Sequence, residues 1–296
     1  MFPQTSATRS QLDPLHQVSA PVERWHNGER SATRDELAVE EPLELRTRST
    51  SAQGAASLET LAVILRTPGH DQELAAGFLY SEGLLASHDE LAELRPGVDA
   101  DGLPSDNLLD VLPGSGVNLI QRIQESGYTR RFAVNASCGI CGKNTVEAAC
   151  AVLPPVHGDA VVVAPETLYS LPEQLRAQQR VFAATGGLHA AGLFDTAGHL
   201  LGLREDIGRH NAVDKLVGRA LLDGALPLAD RLLLVSGRLS FEIVLKAWTA
   251  GIPLVAAVSA PSSLAVDLAM AGGITLVGFL RGENANVYTH PERVRR

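Results

Sequence analysis

The chain has 296 residues, of which 45% are hydrophobic and only 4% aromatic, so alanine, leucine and valine supply most of its packing. That length allows one large domain or two domains with a buried core. Lysine and arginine total 25 against 34 aspartates and glutamates, which gives a net charge of -9. Such an acidic chain is a poor general binder of nucleic acid or anionic membrane, although a local arginine cluster can still bind an anion.

The cysteine content and the apolar runs predict a cytoplasmic protein. Cys138, Cys141 and Cys150 are too few and too closely grouped for the disulfide framework of a secreted protein. The N-terminus lacks the charged start and apolar run of a signal peptide, and no stretch of about 18 apolar residues predicts a transmembrane helix.

The first part of the chain predicts a tail followed by a small domain. Residues 1–35 mix polar and charged residues with few apolar pairs, which is typical of a disordered tail. Residues 36–125 then predict a small α+β domain. Its predicted elements are strands over residues 36–46, 60–66 and 107–112 and a helix over residues 71–85.

Residues 126–296 predict an α/β domain. Apolar strands are expected at residues 232–235, 254–258 and 274–278, with helices at 241–249 and 264–271 between them. This βαβαβ order favours a largely parallel sheet that is covered by helices. The predicted fold class is therefore α/β in this domain and α+β overall.

Each of these strands ends in a polar segment, at residues 236–240, 259–263 and 279–284. The carboxyl ends of parallel strands lie together, and ligands bind in the crevice that they form. Serines at the first turn of the following helices, with Arg238 and Arg281 nearby, would suit a phosphate group. The sequence therefore predicts an anion site at this edge.

A second dense group of charges, residues 204–211, precedes an amphipathic helix. One interpretation is a capped helix start, in which Asp206 accepts hydrogen bonds from the backbone and Arg209 is solvated. The other is an anion site that includes Arg209. Both interpretations stay open at this point.

Cys138 and Cys141 are separated by two residues, among glycines and beside Lys143. A predicted helix over residues 144–152 follows, and a helix N-terminus and a lysine both favour the thiolate, which attacks sulfur or binds metal. A structural zinc site needs about four ligands, and no second cysteine pair is present, so no metal is predicted. A dithiol of the thioredoxin type lacks the expected flanking elements, and Cys150 is predicted to lie in the core.

His189 follows a glycine turn, and a histidine in this setting is more often structural than catalytic. Zinc nucleobase deaminases combine an H-x-E motif with a later cysteine pair. Here Ala191 replaces the glutamate and the cysteines precede the histidine, so deamination is not expected. No Walker-type loop and no G-x-G-x-x-G after a strand supports an NTPase or a dehydrogenase.

The motifs, in their order along the chain, resemble the FdhD family of formate dehydrogenase accessory sulfur carriers. The resemblance covers residues 36–294. The motifs are the Thr67-Pro-Gly turn, Ser137-Cys-Gly-Ile-Cys-Gly, Thr185-Gly-Gly-Leu-His-Ala-Ala, Glu205-Asp-Ile-Gly-Arg-His-Asn-Ala-Val-Asp-Lys, Ser236-Gly-Arg-Leu-Ser and Asn286-Val-Tyr-Thr.

The resemblance implies sulfur transfer from a cysteine desulfurase to the molybdenum cofactor before that cofactor enters formate dehydrogenase. Cys138 would carry the persulfide, and Cys141 would support relay or exchange. The family segment that binds the bis-molybdopterin guanine dinucleotide cofactor corresponds here to Phe279, Leu280, Arg281, Gly282, Glu283 and Asn284.

The resemblance also implies a cytidine-deaminase-like C-terminal domain and a homodimer. The phosphates of the dinucleotide would account for Arg209 and Arg238 on an otherwise acidic chain. Two other functions remain open. One is a non-catalytic cofactor-binding chaperone whose cysteine pair holds zinc or shapes the loop, and the other is a metal-dependent hydrolase.

Overall fold

A computed structural model describes residues 8–9, 16–50, 56–125, 144–156 and 161–295. Cys138, Cys141 and the strand predicted before them lie outside these residues. The described strands form three sheets, with three, four and six strands. None of these sheets takes strands from both sides of residue 125. The domain boundary at this residue stays a prediction.

The N-terminal segment forms an antiparallel hairpin, where the composition predicts a disordered tail. Strand β2 (Gln17–His26) pairs along its length with β3 (Glu29–Ala38), and the short β1 (Thr8–Arg9) pairs with β2. Asn27 and Gly28 join β2 to β3 with φ angles of 50° and 83°, as a tight two-residue hairpin turn requires. The prediction is wrong for these residues because turn chemistry and backbone pairing hold the hairpin, with little apolar burial.

The second sheet belongs to a small α+β unit, as predicted. Its strands are β4 (Glu41–Thr50), β5 (Ala56–Arg66), β6 (Leu91–Val98) and β7 (Pro104–Pro113), in the order β5-β4-β7-β6. Helix α1 (Asp71–Ser81) packs Leu74 and Leu79 into the core of this unit. A short 3-10 helix (His88–Glu90) precedes β6, and α2 (Leu119–Glu125) follows β7.

The third sheet has six strands, in the order β13-β12-β11-β10-β8-β9. They are β8 (His189–Phe194), β9 (Leu200–Asp206), β10 (Leu232–Val235), β11 (Leu254–Ala257), β12 (Thr275–Arg281) and β13 (Asn284–Thr289). Strands β10, β11 and β12 run parallel, as predicted, but the other neighbours are antiparallel. The sheet is therefore mixed and not largely parallel, since tight turns join β8 to β9 and β12 to β13.

Helices cover both faces of this sheet. On one face lie α3 (Asn144–Val152), α6 (Arg209–Leu222), α7 (Phe241–Thr249) and α8 (Ser263–Ala271), and on the other lies α4 (Pro165–Gln178). The short α5 (Arg180–Thr185) leads into β8, and a 3-10 helix (Pro291–Arg293) follows β13. Across the described residues, no helix is both long enough and apolar enough to cross a membrane.

Cys150 is exposed, so its predicted place in the core is wrong. Helix α3 presents Val146 and Ala149 to the core formed with α7 and α8, and Leu153, just after the helix, packs there too. Cys150 is one position beyond Ala149, and each residue turns a helix by about 100°. It lies about 40° beyond Val146 on the helical wheel, at the margin of the apolar stripe, and there its side chain is exposed.

The α+β unit and the six-stranded sheet meet where α1 crosses α6. A Cβ on Gly77 of α1 would lie 1.9 Å from the carbonyl oxygen of Asp214, and a Cβ on Gly218 of α6 would lie 1.8 Å from that of Glu73. Only glycine permits this backbone approach. The contact therefore fixes how the two units meet.

We predict that Gly218→Ala lowers the free energy of unfolding by about 3 kcal/mol, because the new methyl group would collide with a backbone atom and separate the helices. Urea denaturation measures the change. Arg219→Ala, a substitution at the next position on the exposed side of α6, is the matched control and should cost less than about 1 kcal/mol. Equal effects of the two substitutions would contradict the close packing.

Candidate functional site

The ends of five strands converge at one edge of the six-stranded sheet. The parallel strands β10, β11 and β12 end there. Because β8 runs antiparallel to β10, its first residue, His189, lies at the same edge. His189 is paired with Asp206, the last residue of β9. The predicted strand-end site therefore gains residues from two antiparallel strands that the sequence did not reveal.

A buried ion pair holds the loop between β9 and α6. Lys215 Nζ lies 2.8 Å from Asp206 Oδ2, and the two side chains are 1% and 0% exposed. Asp206 Oδ1 accepts hydrogen bonds from Gly208 N and from Asn211 Nδ2, each at 2.8 Å. A buried charge is costly unless it is paired and hydrogen-bonded. These contacts therefore favour one conformation of the loop that leads to Arg209.

The Thr67-Pro-Gly turn ties the α+β unit to this loop. Lys215 Nζ donates to the carbonyl oxygen of Thr67 at 2.9 Å, and Thr67 N donates to Asp206 Oδ2 at 3.3 Å. Ile207 N donates to Thr67 Oγ1 at 3.2 Å. Two sequence motifs about 140 residues apart therefore form one hydrogen-bonded unit.

Arg209, the first residue of α6, has unused hydrogen-bonding capacity. Its Nε is buried and has no hydrogen-bond partner among the described residues. Burial and then the positive charge of Arg238 lower the pKa of Arg209, and Glu242 opposes this effect. Arg238 is exposed in the loop after β10. Two guanidinium groups close enough to repel each other, one with an orphaned buried donor, are suited to an anion.

The two residues that follow β10, Ser236 and Gly237, both contact neighbouring elements. Ser236 Oγ accepts a hydrogen bond from Ala190 N at 2.8 Å, which fixes the strand end against β8. A Cβ on Gly237 would lie 3.3 Å from Arg209 Cδ and 3.4 Å from His189 Nδ1. The absence of a side chain at position 237 thus allows His189 and Arg209 to pack closely against the same backbone position.

His210 lies beside Arg209 and contacts the start of α7. Its Nε2 is 3.2 Å from Ser240 Oγ and 3.8 Å from Glu242 Oε2. Burial, Arg209 and Lys246, in that order, lower the pKa of His210 to about 4, although Glu242 opposes them. Burial and then Arg209 also lower the pKa of His189. Both rings are therefore predominantly neutral near pH 7.

Residues 279–284 are not the polar loop that the sequence predicts. They comprise the end of β12, a turn at Gly282 and Glu283, and Asn284 at the start of β13. The Leu280 side chain is completely buried in the core, whereas Phe279 is 42% exposed. The hydrophobic run of β12 simply continues past the predicted end of the strand.

Two features of this hairpin place it at the same edge as the arginines. Phe279 has a φ angle of 53°, an uncommon conformation for an aromatic residue, and its N donates to the carbonyl oxygen of Ser259 at 3.1 Å. Arg281 Nε donates to the carbonyl oxygen of Val258 at 2.9 Å. Arg238 and this hairpin are two strands apart, or about 10 Å at the usual strand spacing.

The predicted site residues therefore fall into two groups, those at the strand-end edge and the two cysteines. Arg209, Arg238 and the exposed residues of the hairpin share one edge, whereas Cys138 and Cys141 lie outside the described residues. Among the residues that the structure describes, no group of three or more histidines, cysteines and carboxylates is arranged to hold a metal ion. Sequence reasoning gave His189 a structural role and did not single out His210, although both lie inside the quoted motifs.

We predict that Asp206→Asn destabilises the protein by about 3–5 kcal/mol, since it leaves the ammonium group of Lys215 buried without its counter-ion. Thermal and urea unfolding measure the loss. Asp223→Asn removes an exposed ion pair with Arg219 and should cost less than about 1 kcal/mol. A loss at Asp206 no larger than that of this control would show that the buried pair is not essential to the fold.

Known proteins resemble this chain over nearly its whole length. A sulfur carrier protein FdhD from Streptomyces coelicolor is 50% identical over 277 residues, which cover 92% of this chain and 94% of that protein. The sulfur carrier protein FdhD of Sulfurisphaera tokodaii is 44% identical over 260 residues, 88% of this chain and 92% of that protein.

A solved structure has a similar fold. The crystal structure of a provisionally assigned formate dehydrogenase accessory protein from Desulfotalea psychrophila matches with a TM-score of 0.69 and 24% identity, over 95% of this chain and all of that one. The model of the FdhD/NarQ family matches residues 38–295. This chain therefore belongs to the FdhD/NarQ family.

Proposed function

We propose that the protein is a sulfurtransferase that accepts persulfide sulfur from a cysteine desulfurase and transfers it to the molybdenum cofactor needed by formate dehydrogenase. The observation that carries the proposal is the 50% identity to a sulfur carrier over more than 90% of both chains. The sequence contains two cysteines, Cys138 and Cys141, in a glycine-rich segment. Glycines permit the close approach of a partner protein.

The loading step is a thiol–disulfide type of exchange. The Cys138 thiolate attacks the outer sulfur of the persulfide on the desulfurase, so that a new S–S bond forms as the donor's S–S bond breaks. The donor cysteine leaves as a thiolate, and Cys138 becomes a persulfide. Cys141, in this proposal, supports relay or exchange of the sulfur.

The second substrate is the bis-molybdopterin guanine dinucleotide form of the molybdenum cofactor. Its diphosphate groups match the two guanidinium groups of Arg209 and Arg238, and the orphaned Nε of Arg209 supports this match. Phe279 offers an exposed aromatic surface and Arg281 a cation at the same edge. We propose that the cysteine segment faces this edge when sulfur is transferred.

Three further expectations belong to the same proposal. They are a homodimer, a location in the cytoplasm, and a cytidine-deaminase-like description of the C-terminal domain. The mixed sheet with helices on both faces supports the last of these. The competing function is a chaperone that binds the cofactor without sulfur chemistry. The arginines at the strand ends could bind the cofactor equally well in that function.

Loading of Cys138 is directly measurable. After incubation with a cysteine desulfurase and cysteine, intact-mass spectrometry should show a gain of one sulfur atom that disappears in Cys138→Ala. Cys150→Ala is the matched control, because this cysteine is exposed and has no role in the proposed transfer, and it should retain the gain. No sulfur gain in the wild type would favour the chaperone.

Arg281→Ala should weaken the binding of guanosine diphosphate about tenfold, or ~1.4 kcal/mol, because it removes an exposed cation beside the strand ends. Isothermal titration calorimetry measures the affinity. Arg231→Ala, at the opposite end of β10 and paired with Asp230, should leave the affinity unchanged. Unchanged affinity in Arg281→Ala itself would show that the β12–β13 hairpin is wrongly assigned.

A further inference from the structure

Two histidines lie beside the arginines at the strand ends, and the proposed cofactor contacts give neither of them a role. A Cβ on Gly237 would lie 3.3 Å from Arg209 Cδ and 3.4 Å from His189 Nδ1, so the two side chains flank the same backbone position. His210 follows Arg209 on α6 and reaches the hydroxyl group of Ser240. Arg238 borders the same region, close enough to affect the charge of Arg209. Four side chains that can carry positive charge thus lie near one another at the strand ends.

The surrounding protein groups favour the neutral form of both histidines. Burial is the largest cause for each ring, and the positive charge of Arg209 is the second. Lys246 adds to the effect at His210, and so does His189. Among the described residues, Glu242 opposes these effects at His210, and Asp206 does so at His189.

An anion between the arginines would reverse this balance. It would offset the positive field of Arg209 and offer an acceptor to a ring N–H, and both changes favour the charged imidazolium. His210 would then lie between the anion and Glu242, whose Oε2 is 3.8 Å from its Nε2. Protonation on binding would therefore convert two neutral rings into further cationic contacts.

We propose that His189 and His210 are binding residues for a disubstituted diphosphate group, which they hold together with Arg209 and Arg238 and which drives their protonation. This inference rests on the proposed function, because such a group joins the guanosine to the pterin in a dinucleotide cofactor. A disubstituted diphosphate carries two negative charges and has no acidic proton near pH 7. The protons therefore come from solvent and not from the ligand.

The proposal fixes the direction of a pH effect. The pKa of each histidine is low in the free protein and rises in the complex. At a pH between these two pKa values, the protein therefore takes up protons when it binds the ligand. The affinity for the diphosphate group therefore increases as the pH falls from about 8 to about 6. Each proton taken up contributes up to about tenfold per pH unit.

Calorimetric titration of the full chain with GDP-mannose tests this directly, because its diphosphate is disubstituted. Titrations at one pH in two buffers with different heats of ionisation count the protons taken up, and titrations at about pH 6, 7 and 8 give the pH dependence. The wild type should take up protons and bind more tightly at the lower pH. His210→Gln keeps a hydrogen-bonding side chain that cannot titrate, so both effects should decrease.

His199→Gln is the matched control. This histidine is exposed in the turn after β8, paired with Asp195 and at the opposite end of the strand from His189. It should leave proton uptake unchanged. A purely structural role for His210 would lower stability or affinity without changing the number of protons. If His210→Gln fails to fold, proton uptake by the wild type and by His189→Gln decides the question.

The outcomes separate this inference from the proposed function. GDP-mannose binding without proton uptake, or with the same uptake in both histidine variants, would overturn the role of the histidines and leave the cofactor site standing. ADP-ribose could also bind with the same affinity and the same proton uptake as GDP-mannose. That result would support the diphosphate site but contradict guanine recognition at the β12–β13 hairpin. Failure of both compounds to bind would overturn the diphosphate site and its histidines, whereas the loading of Cys138 tests the sulfur-transfer step separately.

Discussion

The strand-end site depends on one buried ion pair, that of Asp206 with Lys215. Both side chains are almost completely excluded from water, so neither charge can be left without its partner. Asp206 also orders the backbone at Gly208, one residue before Arg209. Lys215 reaches the Thr67 turn of the other unit. The position of Arg209 is therefore set jointly by the six-stranded sheet and the α+β unit.

A second buried pair on the same helix strengthens this connection. Asp214, the neighbour of Lys215 on α6, lies 2.8 Å from Lys246 Nζ on α7 and accepts a hydrogen bond from Ser81 Oγ on α1 at 2.9 Å. Burial raises the pKa of Asp214, although Lys246 opposes this effect. Consecutive residues of α6 thus bind α1, α7 and the Thr67 turn, beside the glycine contact at Gly77 and Gly218. A rigid junction of this kind suits the site that we propose, which would hold a large anionic substrate in one orientation.

The sequence predicted the parts of the fold that depend on periodic apolar residues. The helices at α1, α6, α7 and α8 and the three parallel strands were all found from such patterns. The β2–β3 hairpin was missed because its strands are mostly polar and depend on the turn at Asn27 and Gly28. Strands β8, β9 and β13 were missed because short hairpins carry a weak periodic signal.

The candidate site was predicted only in part for a similar reason. Arg209, Arg238 and Arg281 could be found as cations at strand ends and helix starts. The pairing of β8 with β10 brings His189 to the same edge, and no local pattern predicts that long-range register. His210 became a candidate only through its distances to Ser240 and Glu242.

The central claim is that sulfur passes from Cys138 to a cofactor held at the strand ends. Its most direct test is a single-turnover experiment in which protein loaded with radiolabelled sulfur is mixed with purified molybdenum cofactor. The account predicts that the label moves to the cofactor, and that Arg209→Ala slows this transfer but still allows Cys138 to be loaded. Label that stays on the protein, or transfer that is equally fast in Arg209→Ala, would contradict the account.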